Sequence, residues 1–191
     1  MNKMSIRECA VNCKISIRIS FQWRHKILDA LQNMHNSVVL DGIVESDETY
    51  FALSFKGNRK LDSLHRIAHH RGSSSSKRGL SNEQVCTSCS CNLNGLSIGR
   101  ITNLGKPKTS ELSKFLNGRI EEGTFFITDS LNSYDLIAES NNLTHIKIEH
   151  GKFKNGQFNI QKINSYHNEL KRLVNGRFKG VATKYLNNYV V

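Results

Sequence analysis

The run IVESDETYFAL at residues 43–53 decides how the rest of the chain is read. It is rich in β-branched and aromatic residues and follows Gly42, which predicts a strand even though three carboxylates fall within it. Alternation along a strand puts Glu45 and Asp47 on one face with Ile43, Thr49 and Phe51, and Ser46 and Glu48 on the other with Val44 and Tyr50. Each face therefore mixes carboxylate with apolar side chains. A partly buried carboxylate needs a partner or a cation.

Downstream of this strand, periodicity disappears over residues 54–82. The segment KGNRKLDSLHRIAHHRGSSSSKRG is basic, rich in Gly and Ser, and holds three of the eight His. It reads as a mobile loop, either an arm that clamps a nucleic-acid strand or a solvated insertion, and His65, His69 and His70 are not read as a metal site. Residues 84–91 and 96–104 are two strand-like runs separated by Asn92-Leu93-Asn94-Gly95, whose Asn-Gly ending signals an antiparallel hairpin. Thr109 or Ser110 is expected to cap a helix through Leu116 that Gly118 stops, and Gly123 introduces an apolar strand, 124–128, that ends in Asp129. A short helix at 134–140, a strand at 143–148, a polar loop at 150–157, a helix near 162–174 and a last helix at 181–189 complete the chain. This order predicts an α/β fold, a mixed sheet covered by helices, in which functional side chains gather at strand ends.

Upstream, residues 5–31 read as two helices. Ser5 with Glu8 forms a capping box, Ser16 can cap again, and Ile17, Phe21, Ile27, Leu28 and Leu31 recur near the helical period with Arg18, Arg24, His25 and Lys26 between them. The pattern fits a helix-turn-helix or an ordinary helical hairpin, and its turn, Cys13-Lys14, lacks the Gly often found in the DNA-reading motif. Trp23 reads as a core residue.

Composition narrows the class. The 191 residues are 38% hydrophobic, 23% charged and carry a formal net charge of +11, with a sequence pI of about 9.6. A single Pro and 13 Gly exclude a collagen-like chain, and no apolar run approaches the roughly 20 residues that span a bilayer. The first ten residues lack the apolar stretch of a secretory signal, and five Cys at these spacings do not suggest a disulfide framework, so a reducing cytoplasm is expected. Cys86, Cys89 and Cys91 have a zinc-like spacing, but on a strand Cys86 and Cys89 face opposite ways; with Cys9 and Cys13 they read as small core residues. The positive charge sits in the flanks: residues 1–42 carry +3, 43–80 carry +3, 81–150 carry −2 and 151–191 carry +7. Cations on separate segments can follow a phosphate backbone, which favours nucleic acid over a small acidic metabolite as partner.

Asp47 and Asp129 stand 82 positions apart and can meet only if their strands are neighbours. Brought together they repel, and an oxygen-seeking divalent cation, Mg²⁺ above all, makes such a pair stable. A pair of metals about 3.5 to 4 Å apart could stabilise both attacking and leaving oxygens at a phosphodiester.

The runs VESDETYF (44–51), SNEQVC (81–86), FFITDSLNSYDLI (125–137) and above all KINSYHNELKRLVNGRFKGVATKYLNNYV (162–190) resemble the ISXO-like family of bacterial insertion-sequence transposases, members of the DDE superfamily. Residues 5–31 are similar to the helix-turn-helix that precedes the catalytic core there. The resemblance implies a helix-turn-helix segment at 1–41 and an RNase H-like catalytic domain at 42–191. It implies an Asp-Asp-Asn triad of Asp47, Asp129 and Asn164 that holds Mg²⁺ (or Mn²⁺), with Lys171 as a basic residue beside the site. Lys171 lies two helical turns from Asn164 and on its face. Glu48, His167 and Glu169 are the rivals for the third ligand. Arg18, Arg24 and Lys26, with Lys171 and Arg172, would contact DNA. The implied partners are the element's ends and a DNA target, with assembly as a homodimer on DNA and no membrane, in the bacterial cytoplasm at the nucleoid. Two departures bear on activity. The family usually starts with a zinc ribbon that this chain begins too late to contain, and its C-terminus comes early; the alternative expectation is therefore a catalytically inactive DNA-binding remnant of a truncated element. A nuclease that cuts without joining is the third reading.

Overall fold

A computed structural model describes residues 4–57, 79–149, 151–152 and 154–190 of the chain. Most of the loop expected at 54–82, with its three His, lies outside the described residues.

The chain opens with α1 (Ile6–Asn12) and α2 (Ile17–Asn36). The capping box forms as its residues predict: the Glu8 N–H donates to Ser5 Oγ at 3.2 Å, and the Ser5 N–H donates to Glu8 Oε2 at 2.6 Å. Ser16 caps α2 in the same way, accepting from the Ile19 N–H. Between the helices Lys14 takes a left-handed conformation, φ 53°, where glycine is the usual residue. α2 runs five residues past Leu31 and buries Ser20, His25 and Leu28. Trp23 is not core. It is 58% exposed on the far side of α2, because the buried stripe lies over 100° around the helix from it.

Next come β1 (Ile43–Ala52), β2 (Gln84–Asn92), β3 (Ser97–Leu104), α3 (Thr109–Leu116), β4 (Phe125–Asp129), α4 (Ser133–Ser140) and β5 (Thr144–Ile148). They build a five-stranded sheet in the order β3-β2-β1-β4-β5. β1, β2 and β3 are antiparallel, while β1, β4 and β5 are parallel. Helix α3 starts without a side-chain cap; Thr109 is its first residue and shares a hydrogen bond with Ser133 instead. Part of the stretch expected as plain loop at 150–157 instead forms β6 (Lys154–Asn155), which pairs with β7 (Phe158–Asn159) in a small hairpin turned at Gly156 with φ 60°. Helix α5 (Gln161–Lys171) then runs into a π-helical turn (Arg172–Arg177), and α6 (Thr183–Leu186) and a 3₁₀ turn (Asn187–Tyr189) follow.

Each face of the sheet carries a core. On one, Val44, Ile98 and Phe126 meet Leu112, Phe115 and Leu116 of α3 and Tyr134 and Ile137 of α4. On the other, Phe51, Val85, Cys89 and Cys91 meet Leu28 of α2, Ile163, Leu170 and Val174 of the α5 segment, and Leu186, Tyr189 and Val190. Gly99 makes the last contact feasible: a Cβ there would overlap the Val190 side chain. The mixed sheet with helices on both faces is an RNase H-like fold.

Candidate active site

β1 and β4 pair in parallel, with Ile43 opposite Phe125, Val44 opposite Phe126 and Glu45 opposite Ile127. Carried two residues further, this register sets Asp129, the last residue of β4, level with Asp47 on the same face. Neighbouring strands lie about 4.8 Å apart, so the two carboxylates face one another across a strand pair. Their electrostatics agree. Burial pushes the Asp47 carboxyl up to about 6 and the charge of Asp129 adds to the rise, while the Glu48 N–H, donating to Asp47 Oδ1 at 2.8 Å, and Lys171 hold it down. Asp129 is oriented by the turn after its strand, where the Leu131 N–H donates to its Oδ1 at 3.1 Å.

Helix α5 lies over this face. The Ile163 N–H donates to Glu45 Oε2 at 2.9 Å, and His167 Nδ1 stands 3.8 Å from Asp47 Oδ2. Four helical residues span about 6 Å and two strand residues about 6.6 Å, so α5 runs alongside β1 in the same direction. Its buried stripe is Ile163, His167 and Leu170. Tyr166 marks one flank, donating its hydroxyl to the Val190 carbonyl on the β2–β3 side. Asn164 and Lys171 occupy the flank away from Tyr166, and the charge of Lys171 reaches Asp47. Both are exposed.

The rivals for a third ligand separate. Glu48 sits on the opposite face, where the Tyr134 hydroxyl donates to its Oε1 at 2.5 Å; burial, with the nearby charges of Asp47 and Asp129, pushes its carboxyl up to about 7. Glu169 is exposed and accepts from Arg172. His167 is 5% exposed and neutral, burial pulling it down to about 4, and its Nε2 has no hydrogen-bond partner among the described residues. Among the described residues no three His, Cys, Asp or Glu form a metal-binding group.

The basic residues expected on DNA fall into two sets. Arg18 and Lys26 are exposed on α2, and Lys171 and Arg172 on α5 and the turn after it. Arg24 turns inward: its Nη2 donates to the Met4 carbonyl at 2.6 Å and to Cys9 Sγ, and its guanidinium lies over Phe178. Cys86, Cys89 and Cys91 are buried, but Cys9 is half-buried and Cys13 exposed, so the core reading fails for the latter, which ends α1 at the surface. Sequence reasoning placed Glu45 on the Asp47 face without a partner, and it did not find Tyr134 beneath Glu48. The partners lie 118 and 86 residues away, beyond any local signal.

Residues 39–191 match the family model of the ISXO2-like transposase domain. The chain belongs to that family. No curated protein matches it. In this transposase domain, the aspartate pair, the helix over it and the RNase H-like sheet are contained within the matched residues. No helix among the described residues is long and apolar enough to cross a membrane.

The donors at the aspartate pair suit the divalent metals that transposases of the DDE superfamily generally use. Two carboxylates are hard oxygen donors, the kind that Mg²⁺ and Mn²⁺ prefer. Burial first and the charge of Asp129 second raise the Asp47 carboxyl, and a cation held between the two would offset both.

Proposed function

We propose that this transposase domain is a metal-dependent DNA strand-transfer core in which Asp47, Asp129 and Asn164 hold Mg²⁺ or Mn²⁺ and Lys171 binds the DNA end. What supports the reading is the register of β1 and β4, which carried two residues on brings Asp129 beside Asp47, together with the charges of Asp129 and Lys171 acting on Asp47. The cations would neutralise phosphodiester charge and make water, then a DNA 3′ hydroxyl, a competent nucleophile. The protein's own part is positional. The two carboxylates, one midway along β1 and one at the end of β4, would fix where a phosphodiester sits, Lys171 would pair with a phosphate next to it, and no covalent protein intermediate is needed. Asn164 supplies a neutral carbonyl where Glu would supply a charge, so the site would hold its metals less tightly than an all-carboxylate one.

Residues 1–41 are proposed as the DNA-reading segment, with Arg18 and Lys26 on phosphates and Arg24 holding α1 against α2. Residues 42–191 are proposed as the catalytic part, working as a homodimer on DNA. Strand transfer into a supercoiled target tests the reading. Asp129→Asn is expected to lower joined product by on the order of 10²–10³, the scale for losing a group that stabilises the transition state. Undiminished product would reject the assignment, and cutting without any joined product would make the protein a nuclease.

A further inference from the structure

We propose that Glu45 is a positioning residue of this site: its carboxylate ties the first turn of α5 to the strand that carries Asp47, and so sets where Asn164 and Lys171 stand against the aspartate pair. The inference rests on the strand-transfer reading and goes one layer beneath it.

A helix begins with unpaired backbone N–H groups, and the usual remedy is a polar residue just before it. Ser5 and Ser16 do this for α1 and α2. At α5 the corresponding residue is Ile160, whose side chain packs into the apolar core and cannot accept, while Asn159 Oδ1 accepts the Gln161 N–H at 2.9 Å. The next N–H groups, of Ile163 and Lys162, are taken by the carboxylate of Glu45, 118 residues earlier. Glu45 is 3% exposed, and a carboxylate so deep in the sheet is costly unless it is tied to donors of this kind. Its negative charge also meets the positive end of the helix dipole.

The tether is directional where apolar packing is not. A slip of α5 by one residue moves it about 1.5 Å and turns it about 100°, enough to carry Asn164 and Lys171 away from where they stand. Packing of Ile163, Leu170 and Val174 alone tolerates part of that error, whereas two hydrogen bonds to one carboxylate do not. Glu45 and Asp47 are two residues apart on the same face of one rigid strand, so fixing the helix to the first fixes it relative to the second. Lys56, a few residues past the end of β1, holds the connection that follows the same helical segment: its Nζ donates to the Gly180 carbonyl at 2.7 Å and to that of Lys179 at 3.3 Å.

The test compares Glu45→Gln, which keeps one acceptor, and Glu45→Ala, which keeps none, with the wild-type chain. Amide hydrogen exchange at Lys162 and Ile163 is measured together with single-turnover cutting of element-end DNA over a Mg²⁺ titration. The expected result is faster exchange confined to the first turn of α5, with cutting slowed roughly 10- to 100-fold and a raised Mg²⁺ midpoint. The DNA concentration at half-maximal rate should rise as well, because Lys171 moves with the helix, and Glu45→Gln should be the milder variant. Cutting per folded molecule that matches wild type in both variants overturns the role of Glu45, as does unchanged exchange at Lys162 and Ile163. If the wild-type chain cuts no DNA, the strand-transfer reading falls and this role with it; variants that cut as well as an active wild type sink only the role.

Discussion

Asp47 and Glu48 are consecutive yet serve opposite faces of the sheet, and their surroundings differ accordingly. Asp47 looks toward Asp129 and α5, with a backbone N–H of its own strand, the buried His167 and the charge of Lys171 acting on it. Glu48 is closed off by the Tyr134 hydroxyl, itself fully buried in the other core. The buried hydroxyl finds a charged acceptor in half-buried Glu48, and removing the hydroxyl takes that hydrogen bond away. Tyr134→Phe is therefore expected to destabilise the fold by about 1–3 kcal/mol, measured by urea denaturation, with an unchanged m-value. A variant as stable as wild type would mean that Glu48 finds water or another donor.

At the scale of elements, the turn between α1 and α2 holds a local conflict. Lys14 adopts φ 53°, a conformation that costs an L-residue with a side chain roughly 1 kcal/mol. The conflict is sustained by the caps on both sides and by Arg24, whose guanidinium ties α2 back to the Met4 carbonyl. Lys14→Gly is expected to raise stability by about 0.5–1 kcal/mol in a thermal melt, reduced somewhat by the freer unfolded chain. A loss of stability would place the Lys14 side chain in a contact that outweighs its backbone strain. The same turn shows why sequence spacing left the helix pair ambiguous: the absence of Gly argued against a tight turn that nonetheless forms.

At the scale of the whole molecule, the two ends of the chain meet. His25 of α2 stacks with Phe21 and Tyr185, each at 4.4 Å between ring centroids, and contacts Tyr189 edge-on. Gln32 donates to Asn188, which donates to Asp29. Burial holds the His25 imidazole below its ordinary value of 6.5, opposed by Asp29 and aided by Arg24. The unfolded chain thus takes up the proton more readily than the folded one, and stability rises with pH through this region. The His25 contribution is intact above about pH 6.5 and is lost as pH falls below it. Thermal melts at pH 7.5 and 5.5 should show a smaller drop for His25→Phe than for wild type; equal drops would assign the pH dependence to other groups, such as His35 and His145.

Sequence by itself determined which elements exist and which way their residues face, because strand alternation, helical period, caps and turn glycines act over a few residues. It put Glu45 and Asp47 on one face and Glu48 on the other, set Asp129 at a strand end, and carried the motifs that mark a transposase. It could not see past that range. The hairpin at 154–159 was missed because two-residue strands have too few side chains to show a period, and Trp23 was misplaced because a helix's buried side depends on what packs against it. Only the tertiary structure decided that Asp129 comes level with Asp47, that Tyr134 closes over Glu48, and that Glu45 accepts from the first turn of α5. Each is a contact between residues more than 80 positions apart, fixed by strand order and register, which no local preference encodes.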